Sequence, residues 1–234
     1  LTVTDQLVET PAAPALAITE VSPWSSSNSP VAADWFEVTN VSDNAVDVTG
    51  WKVDDSSAAF ASSLALSGVT TIAPGESVIF VEGTLATTDT FKTNWFGASP
   101  PSGLQVGYYS GSGIGLSTGG DGVNLFNAGG TLQASVSFGA ADATSPYQTF
   151  DNTVALNNAP ISLLSVAGVN GAFVAANSSV EIGSPGYSAP GVLRVTEVAP
   201  WSSGNSPVAA DWFEVTNSGA RAVNIAGWKV DDSS

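Results

Sequence analysis

The 234-residue chain contains no cysteine, no histidine and no methionine, and it sets only five lysines and arginines against 21 aspartates and glutamates. Each shortage removes a class of chemistry. Without cysteine there is no disulfide, no thiolate nucleophile, and no zinc or iron–sulfur site built on sulfur. Without histidine the side chain best suited to proton transfer near neutrality is missing, and with it every Ser-His-Asp arrangement. The formal charge of −16 repels phosphate backbones and anionic lipid headgroups, which argues against nucleic acid as a partner. No apolar run approaches the roughly 20 residues that span a bilayer, so membrane insertion is not expected. The natural counterpart of such an acidic chain is a cation, and a hard divalent ion such as calcium above all.

Apolar residues make up 43% of the chain, enough for a packed core. A first residue other than methionine reads as the start of a processed or excised fragment whose targeting segment, if any, is gone. Richness in Ser, Thr, Gly, Ala and Asn is common in bacterial secreted and surface proteins, and that location is the expectation here.

The most informative feature is a repeat. SPWSSSNSPVAADWFEVTN at residues 22–40 returns as APWSSGNSPVAADWFEVTN at residues 199–217. Placing Trp24 on Trp201 fixes an offset of 177 that also matches Asp34 with Asp211, Glu37 with Glu214 and Trp51 with Trp228, with no gap. Between residues 18–57 and 195–234, 30 of 40 pairs are identical, and seven of the ten differences fall within residues 41–49. Differences gathered in that way suit an exposed hairpin tip between buried strands. Solenoid repeats run to about 20–50 residues, so a period this long makes each copy a whole domain. The expected organisation is an N-terminal strand and Pro/Ala linker over 1–14, a complete domain over 15–188, and the first strands of a second domain over 189–234.

Alternating apolar and polar residues predict strands over 16–21, 34–40, 45–53, 76–82, 121–127 and 131–139. Turn formers separate them, and Asn127-Ala128-Gly129-Gly130 between two alternating runs predicts a hairpin. Only Thr87 to Phe96 reads as helix, with Phe91, Trp95 and Phe96 on one side. The glycine-heavy stretch from Gly107 to Gly122 reads as a long surface loop. Many short strands with regular turns mean an all-β sandwich.

In this order the segments ITEVSPW, DWFEVTN, VDVTGWKVDD, IAPGESVIFVEG, FKTNWFG, GDGVNLFN and GSPGY resemble the lamin-tail domain as it occurs in bacterial secreted proteins. The resemblance covers residues 16–187, with a partial second copy over 193–234. It implies an immunoglobulin-like β-sandwich and brings no catalytic residues. Bacterial members of the family look like modules attached to secreted nucleases, phosphoesterases and surface proteins, often in tandem. Nuclear members act in filament proteins and bind other proteins.

Several residues invite a functional reading. On a strand, Asp34 and Phe36 face one side while Trp35 and Glu37 face the other, so a carboxylate must lie near the core. Glu20 and Glu37 either accept hydrogen bonds from backbone amides or from Lys52, or join Asp34 in holding calcium with loop carbonyls. Asp54 and Asp55 are a second candidate for calcium, although adjacent aspartates are also ordinary turn formers; Asp121, between two glycines, is a weaker third. Trp35 and Trp51 belong in the core. Trp24, and Trp201 in the second copy, are the best candidates for exposed aromatics, either stacking on a sugar or anchoring a loop. A glycosidase would need only two carboxylates, but the same carboxylates return in the second copy, which points to a role in building the domain. No enzymatic activity is expected.

The second copy supplies too few strands to close a core. Exposure of Trp212, Phe213 and Trp228 would cost several kcal/mol at about 25 cal/mol per Å², and open strand edges invite pairing. Either the natural protein continues past Ser234, or the unit is completed in trans. For the second route the strand-like segment from Leu1 to Val8, with Leu1, Val3 and Leu7 on it, would add to a neighbour's edge and build a head-to-tail polymer. The expected function is a structural or adhesive module that binds protein partners or copies of itself. An accessory targeting module of a secreted phosphoesterase or nuclease, and a carbohydrate-binding module, are the alternatives.

Overall fold

The structure is a computed structural model that describes residues 15–24, 30–42, 44–111, 114–140, 144–153, 160–187, 193–200, 207–208, 210–217 and 229–230. Leu1, Val3, Leu7, Trp201 and Trp228 lie outside the described residues.

In chain order the first strands are β1 (Leu16–Ser22), β2 (Trp35–Asn40), β3 (Val46–Asp47), β4 (Lys52–Asp54), β5 (Leu64–Ala65), β6 (Thr71–Ile72) and β7 (Ser77–Glu82). Helix α1 (Leu85–Phe96) follows, then β8 (Val106–Tyr109), β9 (Asp121–Phe126) and β10 (Leu132–Phe138). The described strands continue with β11 (Tyr147–Gln148), β12 (Phe150–Asp151), β13 (Pro160–Ile161), β14 (Phe173–Val174), β15 (Glu181–Gly183), β16 (Leu193–Ala199) and β17 (Trp212–Asn217). Two five-stranded sheets, ordered β12-β1-β2-β7-β8 and β13-β10-β9-β4-β5, make the sandwich. The protein is an all-β immunoglobulin-like sandwich, with one short helix among the described residues. Among the described residues no helix is long and apolar enough to cross a membrane.

Between the sheets Ile18, Val21, Phe36, Val38 and Phe80 from one side meet Val53, Val123, Leu125, Val136 and Phe138 from the other. The outer face of the first sheet is buried as well. Trp35, Ile79 and Val81 pack there against Phe91 and Trp95 of α1, and the Trp35 ring meets both helix rings edge-on at centroid distances of 5.2 and 5.6 Å. This double burial explains why DWFE cannot be sorted into a wet face and a dry face: Phe36 enters the sandwich and Trp35 enters the helix layer. Every residue of β1 and β2 is buried.

Three segments differ from what the sequence pattern predicts. The run from Ala45 to Val53 forms two strands, because the chain turns at Thr49-Gly50, where Gly50 takes φ +74°. The helix starts earlier, at Leu85, where the Thr84 N–H is accepted by the Thr87 hydroxyl at 3.1 Å. The glycine-heavy stretch is a surface loop only in part: Ser110, Gly111, Gly115, Ser117 and Gly119 are exposed ahead of β9, as expected. Its start forms β8, parallel to β7, and Ile114 and Leu116 are buried in the sandwich core. Gly107 is needed inside β8, since a Cβ there would lie 2.5 Å from the Ser67 carbonyl oxygen and 2.7 Å from the Phe80 ring.

Candidate functional site

The two glutamates that sequence alone places near the core face each other. In the β1–β2 ladder Ile18 pairs Val38, the register then slips by one residue, and Glu20 pairs Glu37. The bulge at Thr19 rephases the strand, so that Ile18 and Val21 both reach the sandwich core while Glu20 joins Glu37 on the helix side. Thr19 donates its hydroxyl proton to Glu37 Oε1 at 2.7 Å and lies 2.9 Å from the Thr39 hydroxyl, which in turn lies 2.7 Å from that of Ser77.

What seals this pair comes from the far end of the sequence. Glu20 Oε1 accepts from the Thr149 hydroxyl and from the Ser184 N–H at 2.7 Å. Glu37 Oε2 accepts from the Gly186 N–H at 2.6 Å. The turn Gly183-Ser184-Pro185-Gly186 thus lies across both carboxyls and gives each one backbone donor. Gly183 permits the approach, because a Cβ there would meet Glu20 Oε1 at 2.7 Å and the Trp95 ring at 2.9 Å. The same terminal segment binds the end of α1: Ala176 N–H donates to the Trp95 carbonyl at 3.1 Å and Asn177 N–H to the Asn94 carbonyl at 2.9 Å. Asn94 donates to Glu181, and β12 pairs with the outer edge of β1.

Burial dominates the electrostatics. It pushes the Glu20 carboxyl up to about 8, with the charge of Asp151 adding to the rise and the bonds from Thr149 and Ser184 opposing it. Glu37 is raised well above the ordinary carboxyl range by burial and then by the neighbouring Glu20. Glu20 Oε2 is buried with no hydrogen-bond partner among the described residues, a position that a neutral carboxyl tolerates far better than a carboxylate. Lys52, one of the donors considered from sequence, instead lies 4.7 Å above the Phe60 ring in the other sheet. The donors are amides and hydroxyls.

The remaining candidate carboxylates lie in other parts of the fold. Asp34 Oδ2 accepts from the Leu116 N–H at 2.7 Å. Asp54 Oδ2 accepts from the Ser57 hydroxyl and the Ala59 N–H, both at 2.6 Å, and Asp55 Oδ1 accepts from the Ser57 N–H at 2.8 Å. Asp121 Oδ1 holds the Ser56 N–H at 3.0 Å and so ties β9 to the loop after β4. Among the described residues no group of three or more carboxylates is placed to hold a metal ion. Neither calcium candidate forms such a group: Glu20 and Glu37 are brought together but Asp34 binds the Leu116 N–H, and Asp54 and Asp55, the second candidate, take donors from the turn that follows them.

Trp24 is not the exposed aromatic expected, and of its two readings the loop anchor fits. It is 2% exposed, and its ring lies 5.4 Å from that of Tyr147. It anchors the loop after β1 and offers no face to a sugar. Sequence reasoning missed Thr149, Ser184 and Gly186 as the partners of the glutamates; GSPG was visible as a turn, but nothing in one dimension says which carboxylates it covers.

The second copy repeats the hairpin in detail. Val195 pairs Val215, the register slips, and Glu197 pairs Glu214. Thr196 donates to Glu214 Oε1 at 2.6 Å and lies 2.9 Å from the Thr216 hydroxyl. Trp212 and Phe213, matching buried Trp35 and Phe36, are 42% and 44% exposed.

No curated protein matches the chain. The family model of the Lamin Tail Domain matches residues 9–140. That family is one of non-catalytic, immunoglobulin-like modules, in keeping with a site whose carboxyls are sealed from solvent and hold backbone in place. The match spans more than half of the chain, and the chain belongs to the lamin tail domain family.

Proposed function

We propose that this chain is a non-catalytic structural module of a bacterial secreted or cell-surface protein, made of lamin-tail units in tandem and docking protein partners or copies of itself. The observation that carries the reading is the β16–β17 hairpin. It has the register, bulge and Thr–Glu bonds of β1–β2, yet its apolar side chains Val195, Val198, Trp212, Phe213 and Val215 are exposed. Such apolar side chains call for a protein cover, whether further sequence of the same unit or a partner supplies it. Composition supports the location, and the strong negative charge supports a protein partner over a nucleic acid.

Hydroxyl-radical footprinting tests this reading. Trp212 and Phe213 are expected to react readily in the purified chain and to be protected in native material taken from its source. Equal reactivity in both would overturn the reading.

A further inference from the structure

One exposed turn touches the cover of Glu20 and Glu37 from two directions. Across residues 169–172 the Ala172 N–H donates to the Val169 carbonyl at 2.8 Å, and both central residues are left-handed, Asn170 at φ +47° and Gly171 at φ +78°. Asn-Gly is the usual pair for such a type I′ turn. It is also the pair in which a backbone nitrogen most easily attacks a side-chain amide, because glycine has no Cβ to hinder the approach. Asn170 is exposed, and it is the one asparagine of the sequence followed by glycine. The Gly171 N–H makes no hydrogen bond among the described residues. Each central residue is joined to the cover. Asn170 Nδ2 donates to Asp151 Oδ2 at 2.9 Å, and buried Asp151 sits opposite Glu20 in the β1–β12 ladder. Gly171 lies against Tyr187, whose ring would be 2.3 Å from a Cβ at Gly171. The Tyr187 N–H in turn donates to the carbonyl of Ser184, in the turn that seals the two glutamates.

We infer that Asn170 is a self-modification site, where deamidation through Gly171 loosens the cover over Glu20 and Glu37. The Gly171 nitrogen bonds to Asn170 Cγ as the Cγ–Nδ2 bond breaks. Ammonia leaves, carrying the proton given up by the Gly171 N–H, and a succinimide ring remains. One water from solvent then opens the ring at either carbonyl and gives an aspartyl or an isoaspartyl residue at position 170. Both products act on the cover. The aspartyl form puts a carboxylate where an amide donated to Asp151, a like-charge contact that must separate or take up a proton beside Glu20. The isoaspartyl form lengthens the backbone by a methylene in a turn whose glycine is packed on Tyr187. This chemistry does not depend on the function proposed above.

The test is to age the folded 234-residue chain in warm, mildly alkaline buffer and map its peptides by mass spectrometry. The mass gain of an amide turned acid is expected at Asn170 severalfold sooner than at Asn177, an exposed asparagine followed by serine, and isoaspartyl methyltransferase should label position 170. In the aged chain, amides of residues 18–22 and 183–187 should lose protection from hydrogen exchange. Asn170→Asp should reproduce part of that loss without ageing. Asn170→Gly suits a positive φ and has no amide to lose, so ageing should leave its protection as it was. Modification at Asn170 no faster than at Asn177, or found only in chain unfolded by denaturant, overturns the site. Modification that leaves the protection of residues 18–22 unchanged overturns the effect on the cover.

Discussion

Glu20 and Glu37 sit opposite each other on adjacent strands, buried, and each is held by one backbone N–H from the same Gly-Ser-Pro-Gly turn some 150 residues away in sequence. This joins the first strands of the sandwich to the turn that follows β15. It also makes two carboxyls, which would ordinarily be charged, part of the interior.

That arrangement has a pH signature. The folded-state pKa of Glu20 is about 8 against an ordinary 4.5, and Glu37 moves in the same direction. Between those limits the folded protein binds more protons than the unfolded chain, so stability is fully present below about pH 4.5 and is lost as the pH rises through about 8. Melting temperatures recorded across this window should fall with rising pH. Glu20→Gln should flatten the decline and raise the melting temperature at the alkaline end, because a neutral amide avoids the burial of charge. A wild-type melting temperature that rises over the same window would contradict the burial argument.

Gly183 should tolerate no side chain. Gly183→Ala is expected to cost about 1–3 kcal/mol, the usual range for forcing extra atoms into a packed interior. Gly139→Ala, at a position with open space around it, should be nearly neutral. Chemical denaturation of the two variants compares them directly, and equal stabilities would mean that the turn can withdraw from Glu20.

Trp24→Ala should destabilise the domain by roughly 3–5 kcal/mol, as for other buried aromatic truncations. Titration with a panel of glycans should leave the tryptophan fluorescence of the wild-type chain unchanged. Quenching by any sugar would return Trp24 or another tryptophan to the role of a ligand platform.

Asp54 offers a test of the calcium idea. Its carboxylate holds the Ser57 hydroxyl and the Ala59 N–H, so Asp54→Ala should cost about 1–3 kcal/mol by leaving donors without acceptors. A chelator should leave the wild-type melting temperature where it was. A drop reversed by added calcium would show an ion bound in the folded state.

Hydrogen exchange should separate two nearly identical peptides. Amides of residues 18–22 and 35–40, buried under the cover, are expected to exchange far more slowly than those of residues 195–199 and 212–217. Mass spectrometry of proteolytic fragments reads both in one experiment. Equal rates would mean that the second hairpin is covered in the isolated chain.

Much of the sandwich was legible from alternation and turn chemistry. Strands over 16–22, 35–40, 77–82, 121–126 and 132–138 follow period-two patterns, and the Asn127–Gly130 turn joins the last two as expected. The errors share a cause. Ile114, Leu116 and Trp24 stand among glycines, serines and prolines, where local composition signals an exposed loop, but distant neighbours give these side chains somewhere to bury. Likewise, the pattern at Asp34-Trp35-Phe36-Glu37 made plain that a carboxylate goes inside. It could not say that the turn at residues 183–186 would receive it, because that contact is tertiary.

The two hairpins separate what sequence determines from what the tertiary structure adds. Nearly the same residues form the same antiparallel pair, with the same bulge and the same Thr–Glu bond, whether they lie in the core or at the surface. Those features depend on local propensity, alternation and short-range hydrogen bonds, and all of that information is carried in some twenty residues. Burial is different. Trp35 and Trp212 share their sequence neighbours, yet one is packed between strands and helix while the other is exposed. The raised pKa values of Glu20 and Glu37 depend on the same difference, since the cover from α1, Thr149 and residues 181–186 removes water from their carboxyls. Sequence built the hairpin, and the cover turned one copy of it into an interior.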